Sequence, residues 1–325
     1  MGTQRRERGV GLSEKTRAWL RRNGPQSLAG KTVLITGANS GVGFSMAEIM
    51  AALGAGVIMA CRNADRAEQA RDLLLEAYPG ARISVMALDL ADLSSVEAFA
   101  RQLRETSVDV DAFVNNAGVF HQPGRLTAEG IDLVLGTNYI GVYALTGLVL
   151  PYLEGLGHPV WYVNTISIAH KAGRIDYRDF YGGGRGHSFA VYARSKLCLA
   201  RWSCWLAERC ADSNVRVVMN HPGITITPLA VKAFGPGVGR LARMAAPLFN
   251  ATEKSALSLA WIFAHGAAPG SIIGPAKGFG GWGYPEENRV LRKVRTGAPE
   301  LIAFTDAEVQ RLRPSLLSQQ AAPDL

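Results

Sequence analysis

The sequence predicts a single α/β domain built on a doubly wound parallel sheet, and two patterns support this prediction. First, short runs are apolar at consecutive positions, as in strands that are buried on both faces of a parallel sheet. These runs cover Thr32–Ile35, Val57–Ala60, Ile83–Leu88, Ala112–Val114, Val160–Asn164 and Val215–Asn220. Second, segments with helical spacing alternate with these runs. The predicted helices cover Gly43–Leu53, Ala64–Tyr78, Ser94–Glu105, Ile131–Leu153 and Val191–Cys210, with Asn63 and Asp92 as N-caps.

The predicted domain covers residues 30–285, between a basic N-terminal leader (residues 1–29) and a C-terminal tail (residues 286–325). Two segments interrupt its alternation of strands and helices. Residues 171–188 form a glycine-rich insert, and residues 223–250 form an apolar flap. Loops of this length in a compact domain are usually functional. The Gly/Pro-rich sequence after Gly270 predicts a peripheral and partly flexible segment.

The 325-residue chain has a formal net charge of +8, and much of the basic excess lies in the leader and near the C-terminus. Because these charges form no uniform stripe, we expect no nucleic-acid partner. The four cysteines match neither a zinc spacing nor a disulfide framework, which favours reduced thiols, a cytoplasmic location and no metal site. No apolar run reaches the roughly 18–20 residues of a membrane span.

The leader carries a short apolar stripe at helical spacing, formed by Leu12, Thr16, Trp19 and Leu20. Such a stripe can lie on an anionic membrane surface or pack against the domain. We favour packing, because Trp19 and Leu20 alone offer little apolar area for binding lipid.

A glycine-rich turn follows the first predicted strand and opens the first predicted helix. Glycine at this position lets backbone N–H groups and the helix N-terminus approach a pyrophosphate, because no Cβ blocks the approach. The spacing is Gly-x-x-x-Gly-x-Gly, so the ordinary Gly-x-Gly-x-x-Gly fingerprint is not matched, and a plain strand-to-helix connection is the alternative. The candidate cofactor contacts are Gly37, Asn39, Ser40, Gly41, Val42 and Gly43.

Three further strand ends supply candidate cofactor contacts. Arg62 ends the second strand, where an NAD-specific protein places an acidic residue, and its guanidinium can bind a 2′-phosphate bidentately. Arg62 therefore favours NADP(H), with a solvated surface arginine as the alternative. Asp89-Leu90 ends the third strand, where a carboxylate can accept from an adenine amino group. The fourth strand leads into Asn116-Ala117-Gly118, where the chain can pass close to a ribose.

Tyr192 and Lys196 are four residues apart in a predicted helix and therefore share one face. An ammonium beside a phenol lowers the pKa of the phenol from about 10 toward neutral pH. The pair is a candidate acid/base catalyst, although the same spacing also occurs where a tyrosine is partly packed and a lysine is solvated.

Taken in order, these motifs resemble the classical short-chain dehydrogenase/reductase family, which has a Rossmann-like fold. The resemblance covers roughly residues 31–265. The residues that carry it are Thr-Gly-x-x-x-Gly-x-Gly at 36–43, Asn-Asn-Ala-Gly at 115–118, Asn138, Ser167, Tyr-x-x-x-Lys at 192–196 and Pro222-Gly223. The Ala-Cys-Arg run at 60–62, the run at 137–141 and the long insert are similar to the branch of retinol dehydrogenases, WW-domain oxidoreductases and protochlorophyllide reductases. That branch implies use of NADP(H).

The resemblance implies a role for each member of a catalytic tetrad. Tyr192 would protonate the substrate carbonyl oxygen as hydride arrives, and Lys196 would lower the pKa of Tyr192 and hold the nicotinamide ribose. Ser167 would orient the carbonyl, and Asn138 would fix a water that links Lys196 to solvent. The tetrad is complete in this chain.

The resemblance also implies cofactor contacts after the sixth strand. Pro222 and Gly223 would lie against the nicotinamide, and Thr225 would bind its carboxamide. Thr227 is the less favoured alternative, because Pro228 follows it.

These expectations combine into an NADP(H)-dependent oxidoreductase that reduces an aldehyde or ketone or oxidises the corresponding alcohol. The apolar flap favours a lipophilic substrate of steroid, retinoid, terpenoid or polyketide size, and reduction of small carbonyls stays open. The alternative is a non-catalytic NADP(H)-binding sensor or scaffold, which would not need the phenol and ammonium pair. The family commonly pairs through two long helices, so a homodimer or homotetramer is expected through Ile131–Leu153 and Val191–Cys210.

Overall fold

A computed structural model describes residues 10–120, 122–182, 188–224 and 252–316. Eight strands form one sheet: β1 (Thr32–Thr36), β2 (Gly56–Cys61), β3 (Ile83–Ala87), β4 (Ala112–Asn115), β5 (Val160–Thr165), β6 (Val215–Asn220), β7 (Ile272–Lys277) and β8 (Trp282–Asn288). Their order is β3-β2-β1-β4-β5-β6-β7-β8. Neighbouring strands pair in parallel, except that β7 and β8 are antiparallel.

The described helices are α1 (Glu14–Asn23), α2 (Gly41–Ala52), α3 (Ala64–Ala77), α4 (Leu93–Thr106), α5 (Leu133–Glu154), α6 (Ser188–Arg209), α7 (Thr252–His265), α8 (Arg292–Arg295) and α9 (Ala298–Leu312). Within α5, residues Gly136–Ile140 form a π-helical turn. A short 3₁₀ helix covers Ile168–Lys171. Side chains cap two helices as the sequence predicts, because Asn63 accepts from Arg66 N and Asp92 from Ser94 N and Ser95 N.

The strand order changes direction next to β1. The chain runs outward from β1 to β2 and β3 and then returns to place β4 on the other side of β1. Leu34 lies between Ile58 of β2 and Phe113 of β4. In open α/β sheets this reversal leaves a crevice at the carboxyl ends of the strands, where ligands bind. The crevice here lies at the carboxyl ends of β1 and β4.

Alternate residues of β1 face opposite sides of the sheet, and each side has its own apolar core. Leu34 belongs to one cluster, which also includes side chains of α4, α5, α6 and α9. Val33 and Ile35 belong to the other, with side chains of α1, α2, α3 and α7. All three are fully buried. The sheet is therefore covered by helices on both faces, and the predicted α/β class with a doubly wound parallel sheet is confirmed.

The six predicted strands correspond to β1–β6, but the prediction for the region after Gly270 is wrong. It is not peripheral, because β7 joins the sheet and Leu301, Thr305 and Val309 of α9 are buried in the core. The sequence of β7, Ile-Ile-Gly-Pro-Ala-Lys, mixes strand-forming and turn-forming residues. Only the first four residues of β7 are buried, and they include a glycine and a proline. The strand therefore lacks the apolar run by which a buried strand is predicted from sequence.

Helix α9 lies against both long helices, α5 and α6. Tyr139 of α5 shares a hydrogen bond of 2.8 Å with Thr305 of α9, and the Tyr143 hydroxyl donates to Asp306 at 2.6 Å. Helix α9 therefore covers part of both long helices, and the expected homodimer or homotetramer stays a prediction.

The leader stripe is part of the fold. Ser13 caps α1, and Leu12, Thr16, Trp19 and Leu20 are each at most 8% exposed. Glu253, at the start of α7, accepts hydrogen bonds from Ser13 N, Ser13 Oγ and Thr16 Oγ1. The expected packing of the stripe against the domain is confirmed.

Helix α5 corrects the expectation about apolar length. Its 22 residues are apolar enough to cross a membrane by composition, with a mean hydropathy of 1.6. However, 94% of its most apolar 18-residue window is buried inside the fold. Its composition is explained by its place in the core between the sheet, α4 and α6.

Candidate active site

The glycine turn after β1 is packed against the end of β4 with no room for side chains. A Cβ on Gly37 would lie 2.9 Å from the Cα of Ala117, and a Cβ on Gly43 would lie 2.4 Å from Asn116 Nδ2. Asn116 Nδ2 donates to the carbonyl oxygen of Thr36 at 2.9 Å. The predicted residues of the turn and of Asn116-Ala117-Gly118 are therefore brought together at the carboxyl ends of β1 and β4, where the reversal of strand order places the crevice.

Thr36 joins the two strand ends at the candidate site, and the prediction did not include it among the cofactor-site residues. Its Oγ1 accepts from Asn116 N at 3.0 Å and from Ala117 N at 2.9 Å, which joins the ends of β1 and β4. The signal was present as the threonine that precedes the first glycine of the motif. Its role became clear only when the two strand ends were placed side by side.

The N-terminus of α2 fits an anion. Ser40 has extended backbone dihedrals, and its side chain makes no capping hydrogen bond. The first turn carries no acidic residue. An uncapped helix N-terminus presents backbone N–H groups and the positive end of the helix dipole. Together with the close glycine packing, this fits the pyrophosphate of a dinucleotide bound across Asn39 to Gly43.

Arg62 and Asp89 lie at neighbouring strand ends, 3.9 Å apart between Arg62 Nε and Asp89 Oδ2. The Arg62 side chain is 58% exposed, and an ion pair this exposed contributes little energy. Asp89 is fixed by accepting from Ala91 N at 2.9 Å, and Leu90 beside it is buried. The Arg62 guanidinium is therefore left exposed at the end of β2, the position predicted for the 2′-phosphate of NADP(H).

Lys196 is buried beside the end of β5. Its side chain is 4% exposed, and Nζ donates to the carbonyl oxygen of Thr165 at 2.8 Å. Burial lowers the pKa of Lys196 to about 8. At neutral pH a large share of the ammonium is therefore retained, even though it costs free energy to bury.

Tyr192 faces Ser167. Burial raises the pKa of the Tyr192 phenol, and a hydrogen bond with the Ser167 side chain lowers it by a smaller amount. This differs from the expected lowering of the Tyr192 pKa by Lys196, because the ammonium is directed to Thr165. The Phe120 ring packs edge-on against Tyr192, with centroids 4.7 Å apart.

Ser167 begins the 3₁₀ helix that follows β5. Its Oγ accepts from Ala169 N at 3.3 Å, and its carbonyl oxygen accepts from His170 Nδ1 at 2.6 Å. His170 is buried, and burial lowers its pKa. Burial also lowers the pKa of His221 to about 4, so both imidazoles are neutral at pH 7. The Ser167 hydroxyl is thus held on a short, well-anchored turn.

Asn138 lies in the π-helical turn of α5 and is fully buried. Its Oδ1 accepts from Val119 N at 2.7 Å, and its Nδ2 donates to Val119 O at 2.9 Å and to Ser195 Oγ at 3.2 Å. A Cβ on Gly118 would lie 3.1 Å from Asn138 Oδ1 and 3.5 Å from Lys196 Nζ. Asn138 therefore ties α5, the strand end after β4 and α6 together beside Lys196, and its expected water-binding role stays a prediction.

Pro222 and Gly223 lie directly after β6. The Pro222 carbonyl oxygen accepts from Ser255 Oγ at 2.7 Å, and Gly223 N donates to His221 Nδ1 at 3.2 Å. These bonds fix the base of the predicted nicotinamide contact. Thr225, its alternative Thr227 and the rest of the flap through residue 250 lie outside the described residues.

Comparisons with known proteins show the family to which the chain belongs. A family model described as short chain dehydrogenase matches residues 31–235. Retinol dehydrogenase 14 of Mus musculus is 38% identical over 236 residues, which cover 70% of this chain and 69% of that protein.

Solved structures show the same fold. An uncharacterised protein from Mycobacterium paratuberculosis is 31% identical, with a TM-score of 0.69 over 88% of this chain and 94% of that chain. A 3-ketoacyl-(acyl-carrier-protein) reductase from Brucella melitensis, solved with NADH, is 26% identical, with a TM-score of 0.58 over 76% of this chain and 96% of that chain. The chain therefore belongs to the short-chain dehydrogenase/reductase family, in its retinol dehydrogenase-like branch, and is an NAD(P)-dependent oxidoreductase.

Proposed function

We propose that this protein transfers hydride between NADP(H) and a lipophilic carbonyl or alcohol, with Tyr192 as the general acid or base. The observation that carries the proposal is the convergence of three groups at the carboxyl end of β5. The Ser167 side chain lies beside the Tyr192 phenol and lowers its pKa, and Lys196 Nζ donates to the carbonyl oxygen of Thr165, two residues before Ser167. A non-catalytic nucleotide sensor has no need of such a cluster.

In the direction of reduction, bound NADPH supplies the hydride. The raised pKa of Tyr192 keeps its phenol protonated at neutral pH, so Tyr192 donates its proton to the carbonyl oxygen. The Ser167 hydroxyl donates a second hydrogen bond to that oxygen and orients it. Lys196 Nζ donates to the Thr165 carbonyl, so its other N–H groups would bind ribose hydroxyls, and its positive charge would favour the phenolate that proton donation leaves behind. In oxidation each proton transfer runs in reverse.

The preference for NADP(H) over NAD(H) is proposed from Arg62. An exposed guanidinium at the end of β2 provides two parallel donors for a 2′-phosphate. Asp89, 3.9 Å away, lies at the end of β3 and does not occupy the position after β2 where a carboxylate would bind ribose hydroxyls. The NADH bound in the Brucella enzyme describes that enzyme only. For this chain, the proposed preference between NADP(H) and NAD(H) rests on Arg62.

A lipophilic substrate is proposed from apolar groups around Tyr192. Phe120 packs on its ring, and Phe189, one helical turn earlier in α6, is 52% exposed. Ile224, directly after the Pro222-Gly223 pair, is 41% exposed. Exposed large apolar groups on the segments that carry Tyr192 and the predicted nicotinamide contact favour ligands that bury apolar area.

The proposal is tested by following NADPH oxidation with a panel of carbonyl compounds, from small aldehydes to steroid and retinoid carbonyls. We expect wild-type turnover that rises with substrate apolar area. In Tyr192→Phe, which keeps the ring and removes the proton donor, turnover should fall about 10²-fold to 10⁴-fold while NADPH still binds. Equal turnover in the variant contradicts the mechanism, and NADPH binding without turnover of any carbonyl supports the sensor instead.

A further inference from the structure

The insert (residues 171–188) joins the two groups that would contact the substrate carbonyl. It starts at the end of the turn that begins with Ser167 and leads into α6, which carries Tyr192. Its described residues do not loop away from the domain. A Cβ on Gly173 would lie 2.4 Å from the carbonyl oxygen of Ala193 and 2.8 Å from Leu197 Cβ. The start of the insert therefore packs directly against α6.

Arg194 fixes this contact. Its Nε donates to the carbonyl oxygen of Arg174 at 3.1 Å, and its Nη1 donates to those of Asp179 at 2.5 Å and Phe180 at 2.6 Å. One side chain thus binds three backbone acceptors of the insert from a position two residues after Tyr192. A planar guanidinium offers several donors in a fixed fork, which the single ammonium of a lysine cannot match.

The outer side of the insert is packed against α9. Phe180 is 3% exposed, and its ring lies 4.6 Å from that of Phe304, measured between centroids. The Tyr181 hydroxyl donates to Glu308 at 2.6 Å. Residues 171–182 of the insert therefore contact α6 on one side and α9 on the other. Arg194 supplies the hydrogen bonds on the side of α6.

We infer that Arg194 is a positioning residue for the reaction. By holding the insert on α6, it sets the separation of the Ser167 hydroxyl from the Tyr192 phenol, and with it the placement of the substrate carbonyl. The inference rests on the proposed function. The side chain contacts neither Ser167 nor the glycine turn through any hydrogen bond in the described residues, so its loss should affect the carbonyl substrate and not NADPH.

The test compares Arg194→Met with Arg209→Met in the full-length protein. Arg209 is a matched control at the far end of α6, where it makes a 3.7 Å ion pair with Glu154. Each variant is measured for the KM and kcat of the best carbonyl substrate, the Kd for NADPH, the Tm, and deuterium exchange of residues 173–182. Arg194→Lys is included because it keeps the charge and loses the fork.

In Arg194→Met we expect kcat/KM for the carbonyl to fall about 10-fold to 100-fold, faster exchange in residues 173–182, and a Kd for NADPH within about twofold of wild type. Arg194→Lys should be intermediate, and Arg209→Met should match wild type. An unchanged kcat/KM overturns the inference, as does a loss of NADPH affinity as large as the loss of kcat/KM. If Arg194→Met does not fold, the kcat/KM of Arg194→Lys decides in the same way. Absence of wild-type turnover with every carbonyl instead overturns the proposed function, and this inference with it.

Discussion

Two regions flank the pair Tyr192 and Lys196, and they are built differently. The cofactor region, from β1 to Gly118, is held by hydrogen bonds between motif side chains and nearby backbone groups, from Thr36 and Asn116, and by the absence of side chains at Gly37 and Gly43. The insert region, made of residues 171–182 and α9, is held by side chains far apart in sequence, such as Tyr181 with Glu308 and Phe180 with Phe304. A short motif can specify the first region, whereas the second depends on the completed tertiary structure.

Lys196 lies where the two regions meet, so its replacement gives the largest expected effect on turnover. In Lys196→Met turnover should fall about 10²-fold to 10⁴-fold, because the ammonium that stabilises the Tyr192 phenolate is removed. The variant should also be more stable at pH 7. Burial lowers the pKa of Lys196 to about 8 from 10.5, a cost of about 3 kcal/mol that an apolar side chain avoids.

Thermal melts across pH 7 to 10 check the sign of this stability difference. Between the folded pKa of about 8 and the unfolded value of 10.5, the unfolded chain binds more protons, so wild-type stability rises with pH. The advantage of Lys196→Met should therefore be full below pH 8 and shrink toward pH 10. A variant that melts below wild type at pH 7, with a gap that does not change with pH, would contradict the buried ammonium.

Gly43→Ala tests the cofactor region. The added methyl would lie 2.4 Å from Asn116 Nδ2 and 2.5 Å from the carbonyl oxygen of Gly37. Because neither distance can be tolerated, the glycine turn must shift from its place beside the end of β4. A cost of about 1–3 kcal/mol corresponds to a rise of roughly 5-fold to 150-fold in the Kd for NADPH. Titration of NADPH by fluorescence measures it.

Gly80→Ala is the control for replacing a glycine by alanine at a position without close packing. Gly80 has a positive φ of 87°, but a Cβ there would meet nothing within 4 Å. It should lower stability through backbone strain and leave the Kd for NADPH unchanged. Equal Kd values for the two variants would mean that close packing at Gly43 is irrelevant to cofactor binding.

Leu301→Ala tests the insert region and has a small expected effect on cofactor binding. Leu301 of α9 is fully buried, so its truncation should cost about 2–5 kcal/mol of unfolding free energy. The Kd for NADPH should stay within about twofold, because α9 lies outside the glycine turn and β4. Urea unfolding and NADPH titration measure both, and a large rise in Kd would erase the contrast between the regions.

The sequence was sufficient to predict β1–β6 and the long helices, because buried parallel strands and the helices between them have local signatures. Asn63 and Asp92 could be assigned as caps for the same reason. The tetrad positions followed from the family resemblance and stay a prediction.

The sequence did not predict β7, β8 or α9. The place of α9 depends on residues more than 100 positions away, such as Tyr139 for Thr305. Strand β7 is placed by pairing with Met219 and Asn220 of β6, and β8 by pairing with β7.

The electrostatics of the site were also beyond sequence reading. The helical spacing of Tyr192 and Lys196 indicated a direct pairing, but Lys196 Nζ binds the Thr165 carbonyl, and burial is the main influence on both pKa values. Burial of a side chain depends on everything packed around it, including Gly118 and Asn138, which come from other elements.

The central claim is that this fold binds NADP(H) across the glycine turn and Arg62 for hydride transfer. The most direct test titrates purified wild type and Arg62→Asp with NADPH and with NADH, following energy transfer from tryptophan to the reduced nicotinamide. We expect wild type to prefer NADPH and Arg62→Asp to lose about 10-fold to 100-fold in NADPH affinity while keeping its affinity for NADH. Binding of neither cofactor by wild type, or an unchanged preference in Arg62→Asp, would contradict the account.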